Sequence, residues 1–389
     1  MPIAPWIKSI GGEENMTQSL EYELWLHGLS EIPLKLKVEL YNHFSSIKEV
    51  HKANEEKLKK LNFLSEEQIA IILKGQKEES FRRVYEKLEE EGIRFIPWNA
   101  PEYPPSLLEM PDYPHGIFVK GNLPKVERLS IGIVGARKCT SYGEHYALEY
   151  SKALAQVGVQ IISGLARGID GCGHRGALLV NEPTFAVLGS GVDVCYPKEN
   201  TGLYQDILTK GGGILSEFIP GTMPLAFHFP MRNRIIGGLS KVLLVIEAKE
   251  KSGSLITADI ALEQGKDIYA LPGSVDSSYS KGCHYLIKQG AGILISPEEL
   301  IKDLDYLIHK TKKNNPYKKG ECESFNNNNK IVLDKLQDMV YSLMCFTPKS
   351  INQLVEETQL AIDRVWDALV SLELKGLIKE VSKNYYVRL

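Results

Sequence analysis

Short glycine-rich runs following apolar stretches hold most of the residues in this chain that could do chemistry. In IGIVGARKCTSYG (131–143) an apolar segment meets a Gly-Ala turn and two bases, Arg137 and Lys138, where a helix begins. Helix N-termini offer unsatisfied N–H groups and a positive dipole, so cations are disfavoured there unless an anion sits beside them. Similar runs follow: SGLARGIDGCGH carries Ser163, Gly164, Arg167 and Gly168, and GSGVDVCYPKEN carries Lys198 and Asn200. In FPMRNRIIGGLSKVLLVIEA, Arg232 and Arg234 flank Asn233 at the start of a helix that turns wholly apolar. Arginines in that setting pair internally or clamp an anion, and both roles stay open. Asp170 stands where it can cap the next helix.

Other chemistries lack their residues. There is no GxxxxGK[ST], no HExxH and no GxSxG. The first loop is GxxG followed by Arg and Lys, not GxGxxG, and no acid after the second strand is placed to hold a ribose, which argues against a dinucleotide cofactor. His174, His228 and His284 lie near the loops without a nucleophile and an orienting acid, so they read as packing or hydrogen-bonding histidines. Glu217 and Glu247 stand at strand ends as candidate bases with no visible partner. The six cysteines are scattered without a CxxC pair. That suggests free thiols in a reducing cytosol, with neither a zinc site nor a disulfide framework. No cofactor or metal is expected.

The elements that must position these loops alternate along the chain. GIFVKG, IGIVGA, VQIISG, FAVLGSG, GILSE, KVLLVIEA, DIYALPG and AGILIS are apolar strand-like runs, with helical segments between them. Continuous apolar strands alternating with helices predict a doubly wound α/β domain around a parallel sheet covered on both faces. In such a sheet ligands sit beyond the carboxyl ends of the strands, and six successive loops of Gly, Ser and isolated bases fall there.

Residues 1–17 are expected as a flexible tail, with Met1 or Met16 as the start, and 18–92 as a helical module in short pieces, Ser65 and Gln68 marking one helix start. Residues 93–308 form the α/β core and 309–329 a polar, asparagine-rich linker. Residues 330–389 read as helix, helix and β-ribbon, the outline of a winged helix. No apolar stretch reaches about 18 residues, so no membrane span is expected.

Taken together, IVGARKCTSYG, SGLARGIDGCGHRGAL, VLGSGVDVCYPKEN, GGGILSEFIPGTMPLAFHFPMRNRIIGGLS, VIEAKEKSGSLITADIALEQGKDIYALPGSV and KGCHYLIKQGA resemble the DprA/Smf (DNA processing protein A) family, in family order over nearly all of 110–296. The resemblance implies an extended Rossmann-like fold with an N-terminal helical module (SAM/HhH-like) and a winged helix, dimerising through the Rossmann core. It implies a cytoplasmic protein that binds single-stranded DNA, protects it during natural transformation and hands it to the RecA recombinase, with no catalytic step. The DNA-contacting positions it carries over are Arg137 and Lys198, with Arg167, Arg232 and Arg234 as support. Lys138, Ser163, Gly164, Gly168, Asn200 and Asn233 lie in the same loops. One departure falls in the last loop, where Cys283–His284 replaces the family's small and polar residues.

The net charge of −3, and a core (131–293) with 15 Lys or Arg against 14 Asp or Glu, require any nucleic-acid site to be a local patch. Tyr196 and Phe229, near the loops, could stack bases or belong to the core. In the winged helix, AIDRVWDALVSLELKG carries Asp363, Asp367 and Glu373, which favours a protein-contact or structural role over duplex binding. Two rivals remain. A nucleotide phosphoribohydrolase-like enzyme would need a PGGxGTxxE motif, and the nearest stretch, LPGSVDSSYSKG, lacks its glycine pair and acid. A small-nucleotide sensor would use the Arg137 loop alone.

Overall fold

The computed structural model describes residues 13–77, 80–313, 333–346 and 348–388. Nine strands form one sheet: β1 (Ile93–Pro97), β2 (Gly116–Gly121), β3 (Ser130–Val134), β4 (Gln160–Ser163), β5 (Thr184–Val187), β6 (Gly213–Ser216), β7 (Val242–Val245), β8 (Asp267–Ala270) and β9 (Gly292–Ile293). Their spatial order is β1-β2-β6-β5-β4-β3-β7-β8-β9. From β6 to β9 every pairing is parallel, as the apolar runs predict. The sheet is not parallel throughout, however. β2 runs antiparallel to β6, and β1 antiparallel to β2. Burial on both faces makes GIFVKG look like the parallel strands, because burial carries no information about direction.

Helices cover both faces. One face buries Leu107, Val187, Ile236, Leu243 and Leu286, and the other Ile131, Tyr150, Leu154, Ile161 and Leu244. β4 and β7 lie on opposite sides of β3, so the chain reverses direction across the sheet at β3, the crevice where doubly wound folds hold ligands.

The helical module has its own core around Trp25, Leu40, Val50, Leu58 and Ile72. Its helix Glu66–Gly75 opens with the expected capping box: the Gln68 N–H donates to Ser65 Oγ at 3.2 Å and the Ser65 N–H to Gln68 Oε1 at 2.9 Å. The first helix, Glu13–Gly28, begins inside the expected tail. Once a helix is nucleated, each further residue adds a hydrogen bond without needing an apolar side chain. For the same reason the helix Asp305–Lys313 runs into the expected linker. Residues 1–12 and most of the linker lie outside the described residues.

C-terminally, helices Lys335–Leu343, Ile351–Thr358 and Ile362–Leu374 pack with β10 (Lys349–Ser350), β11 (Ile378–Ser382) and β12 (Tyr385–Arg388) around Val340, Leu354, Val365 and Leu369. This is a winged helix, with one more helix than the sequence outline. Phe346 places its ring against Tyr142, His145 and Tyr146 on the core helix Ser141–Gln156, with centroids 5.0 to 5.9 Å apart. Among the described residues, no helix is long and apolar enough to cross a membrane.

The junction between module and core buries ionisable groups. Glu23 accepts from the Tyr41 hydroxyl and from Asn99 Nδ2 (3.2 Å), with His115 Nε2 at 3.8 Å. Burial pushes the Glu23 carboxyl up to about 8, with Asn99 opposing. Burial also lowers His27 to about 3, His115 well below its ordinary value, and Lys37 to about 8. A carboxyl raised in the fold keeps a proton that the unfolded chain releases near its ordinary 4.5. The stability it contributes is therefore complete at low pH and lost as pH rises toward 8. The depressed histidines act oppositely but finish titrating near 6.5, and Lys37 acts only above about 8. Glu23→Gln, which keeps an acceptor and removes the titration, should leave the urea midpoint nearly unchanged at pH 5. At pH 8 it should raise the midpoint above that of the wild type. Parallel midpoint–pH curves for the two proteins would refute the assignment.

Candidate nucleic-acid interface

The loop after β3 is held from beneath and from the side. Beneath it Gly168 takes φ +70°, and a Cβ there would overlap the carbonyl oxygens of Ala136 and Arg137. The Ile169 N–H donates to Ala136 O at 3.2 Å. From the side, Glu247 at the end of β7 accepts from the Thr140 N–H (2.9 Å) and from Thr140 Oγ1 (2.6 Å). Thr140 in turn caps the helix Ser141–Gln156 by accepting from the Gly143 N–H at 3.2 Å. Burial raises the Glu247 carboxyl, and these Thr140 hydrogen bonds oppose the rise. Glu247 thus positions the loop. Pattern reading left it without a partner, because Thr140 becomes its neighbour only when β7 lies beside β3.

Several of the anticipated contact residues are enclosed. Arg232 is buried, and its Nη1 donates to Gly164 O at 2.5 Å and Val187 O at 2.6 Å. A Cβ at Gly164 would collide with that guanidinium, so glycine is required there. Asp170 faces it: burial raises the carboxyl and Arg232 counteracts. Burial lowers Arg232 itself to about 10. Asn233 Oδ1 accepts from Arg232 Nε at 3.1 Å. Arg234 is paired with Glu217 and donates to Asp112 O. Ser163 Oγ donates to Ile133 O at 2.6 Å. Asn200 Nδ2 donates to Leu165 O and Ala166 O at 2.9 and 3.2 Å. Of the two roles open for Arg232 and Arg234, this geometry supports holding the loops in shape.

The remaining bases face outward. Arg137, Lys138 and Lys198 are exposed, and among the described residues none has an acid within ion-pair distance. Arg167 is exposed too but paired with Glu199. Arg137 rests over the Phe229 ring, 4.9 Å from its centroid, and Arg232 lies 6.0 Å from the same ring. Tyr196, 43% exposed, sits 5.8 Å from Phe229. The result is an unpaired cation, Arg137, on a pair of aromatic rings, with exposed Lys138 and Lys198 in the same loops, a set suited to phosphates and unstacked bases.

The other candidates are structural. His174 Nδ1 meets Thr184 Oγ1 at 2.8 Å, His228 Nδ1 meets Gly189 O at 3.2 Å, and His284 Nε2 meets Gly273 O at 3.1 Å. Cys283 is buried under β7, and burial pushes its thiol up to about 12. No cluster of metal-ligating side chains occurs among the described residues.

The profile described as DNA recombination-mediator protein A matches residues 94–305, and the DprA winged helix domain profile matches residues 328–382. The chain is 46% identical over 222 residues to Protein Smf of Escherichia coli (strain K12), covering 57% of this chain and 59% of that protein. The X-ray structure of DNA processing protein A (DprA) from Streptococcus pneumoniae superposes with a TM-score of 0.60 at 35% identity, over 72% of this chain and 96% of that one. A Helicobacter pylori DNA processing protein A, described for its single-stranded DNA binding mode, superposes with a TM-score of 0.51 at 28% identity, over 56% and 97%.

Arg232→Met would leave two carbonyl oxygens without their buried donor and remove the positive charge that counteracts the buried Asp170 carboxyl. It should destabilise the fold by at least about 1–3 kcal/mol in urea melts, whereas Arg137→Ala should leave the midpoint nearly unchanged. An Arg232→Met protein as stable as the wild type would remove Arg232 from this supporting role.

Proposed function

Because the chain belongs to the DNA recombination-mediator protein A family, we propose that it binds single-stranded DNA at the carboxyl ends of its strands, with no catalytic step. The observation that carries this reading is Arg137: exposed, unpaired, and laid on Phe229 at the crevice where the strand order reverses. Lys138 and Lys198 add cations, while Tyr196 and Phe229 offer faces on which bases stack, which favours single strands over duplex. Arg167 belongs to the rim, where a phosphate would compete with Glu199. Ser163, Gly164, Gly168, Asn200, Arg232, Asn233 and Arg234 act mainly by shaping the loops.

The wider role follows the family resemblance: a cytoplasmic mediator that protects incoming DNA during natural transformation and delivers it to RecA, working as a homodimer through the Rossmann core. Exposed apolar groups beside the short edge strand β9, namely Tyr285, Ile293 and Ile295, support such a core dimer. In the winged helix, Ile362, Trp366, Val370 and Leu374 are all exposed at four-residue spacing, which supports protein contact for that helix. The proposed division is a helical module near 18–92, a core near 93–308, a linker and a winged helix near 330–389, with the first helix starting earlier at Glu13 and the helix Asp305–Lys313 running past 308.

Fluorescence anisotropy of a labelled single strand and the matching duplex, across a salt series, tests the site. The single strand should bind more tightly, and its affinity should fall with salt. Arg137→Ala should weaken it by about tenfold or more and make the log–log salt slope shallower by about 0.7. Equal, weak binding to both forms, unaffected by the substitution, would sink the assignment and bring the small-nucleotide readings forward.

A further inference from the structure

A second pocket, of about 380 Å³, opens at the opposite end of the sheet, beneath the amino ends of β3, β7 and β8. Pro104, Pro124, Leu129, Leu239 and Leu307 form much of its wall, and Lys125, Lys241 and Lys266 also line it. Lys266 is the unusual member. Its side chain is only 5% exposed, yet among the described residues its Nζ makes no hydrogen bond. Its one ionic partner, Glu109, is 4.0 Å away with a side chain 73% exposed. Burial lowers Lys266 from its ordinary value, Glu109 opposes the fall, and neighbouring Lys241 adds to it more weakly. Arg128, which also lines the pocket, is engaged elsewhere: its Nε donates to Gly158 O at 2.7 Å and its Nη2 to Glu182 at 2.7 Å.

Burying an ammonium is unfavourable unless acceptors and opposite charge surround it, and a second ammonium close by makes it more so. Glu109 supplies opposite charge only at 4.0 Å, and an anion in the pocket would supply the acceptor that Lys266 lacks among the described residues. A doubly charged group matches two ammoniums better than a carboxylate does. Ser130 also lines the site. Its Oγ accepts from Gln160 Nε2 at 3.1 Å, which leaves the hydroxyl proton to donate into the pocket. The volume lies at the lower end of the range for small-molecule sites, and the wall mixes proline and leucine with polar residues, among them Glu109 and Glu127, which a bound anion would have to avoid.

We propose that this pocket binds a phosphomonoester, with the phosphate between Lys266 and Lys241 and the attached nucleoside against the proline and leucine walls. The site is separate from the Arg137 patch and goes beyond the DNA-binding role.

Titration calorimetry of the full chain with dAMP at low salt tests it, with deoxyadenosine as the phosphate-free control. dAMP should bind and deoxyadenosine should not, and Lys266→Met and Lys241→Ala should each weaken dAMP at least tenfold. Lys241 is exposed, so its variant decides the matter if Lys266→Met fails to fold. Oligonucleotides with and without a 5′-phosphate then identify the source. A Lys266-dependent gain from the 5′-phosphate assigns the site to strand ends, and its absence alongside dAMP binding assigns it to free nucleotides. No dAMP binding would overturn the proposal. So would binding that is lost in Arg137→Ala but kept in Lys266→Met and Lys241→Ala.

Discussion

One buried guanidinium holds the ligand-facing end of the sheet together. Arg232 projects from the helix His228–Leu239 and donates to Gly164 O, just past β4, and Val187 O, at the end of β5. Strand ends that splay into loops leave carbonyls without ladder partners, and an unpartnered carbonyl in a closed interior costs about 1–3 kcal/mol. A charged donor that serves two of them at once fixes the separation of two adjacent loops. The arrangement constrains its surroundings in turn. Gly164 must stay glycine so the guanidinium can pass, and Asp170 must stay close so that the charge is not alone.

With this frame in place, the cations proposed to meet DNA differ from the others by what they lack. A core with nearly balanced charge has no broad positive field, so recognition must come from local groups held without competing partners. Arg232 and Arg234 are internally committed, and Arg167 is held by Glu199. Arg137, Lys138 and Lys198 keep their charge turned outward. Phe229 links the two sets, with Arg137 over its ring and Arg232 at its margin. The supporting arginine and the outward-facing one therefore share a single aromatic plate.

The fold was legible in the chain because buried parallel strands leave continuous apolar runs, and because the loops between them keep their Gly, Ser and bases. Motif spacing placed Arg137 and Lys198 in one region. It could not separate exposed arginines from enclosed ones, since RNR in a helix start has the same spelling in either role. Nor could it pair Glu247 with Thr140 across 107 positions, a contact that exists only because β7 lies beside β3. Strand direction escaped for a related reason: GIFVKG is buried on both faces whether it runs with or against β6. The linker boundary was blurred because a helix entered from an amphipathic turn continues through charged residues such as those of Asp305–Lys313 at little cost.

The helix Ser141–Gln156 ties these observations to the rest of the molecule. Its first turn is fixed by Thr140 and Glu247, directly behind Arg137. Its outer face carries Tyr142, His145 and Tyr146, against which the winged helix rests Phe346. A shift of that helix along its axis would move the Arg137 loop at one end and the Phe346 contact along its flank. Glu247 stands just past the buried strand β7, so hydrogen bonds tie the loop to the sheet while ring contacts tie the same helix to the winged helix.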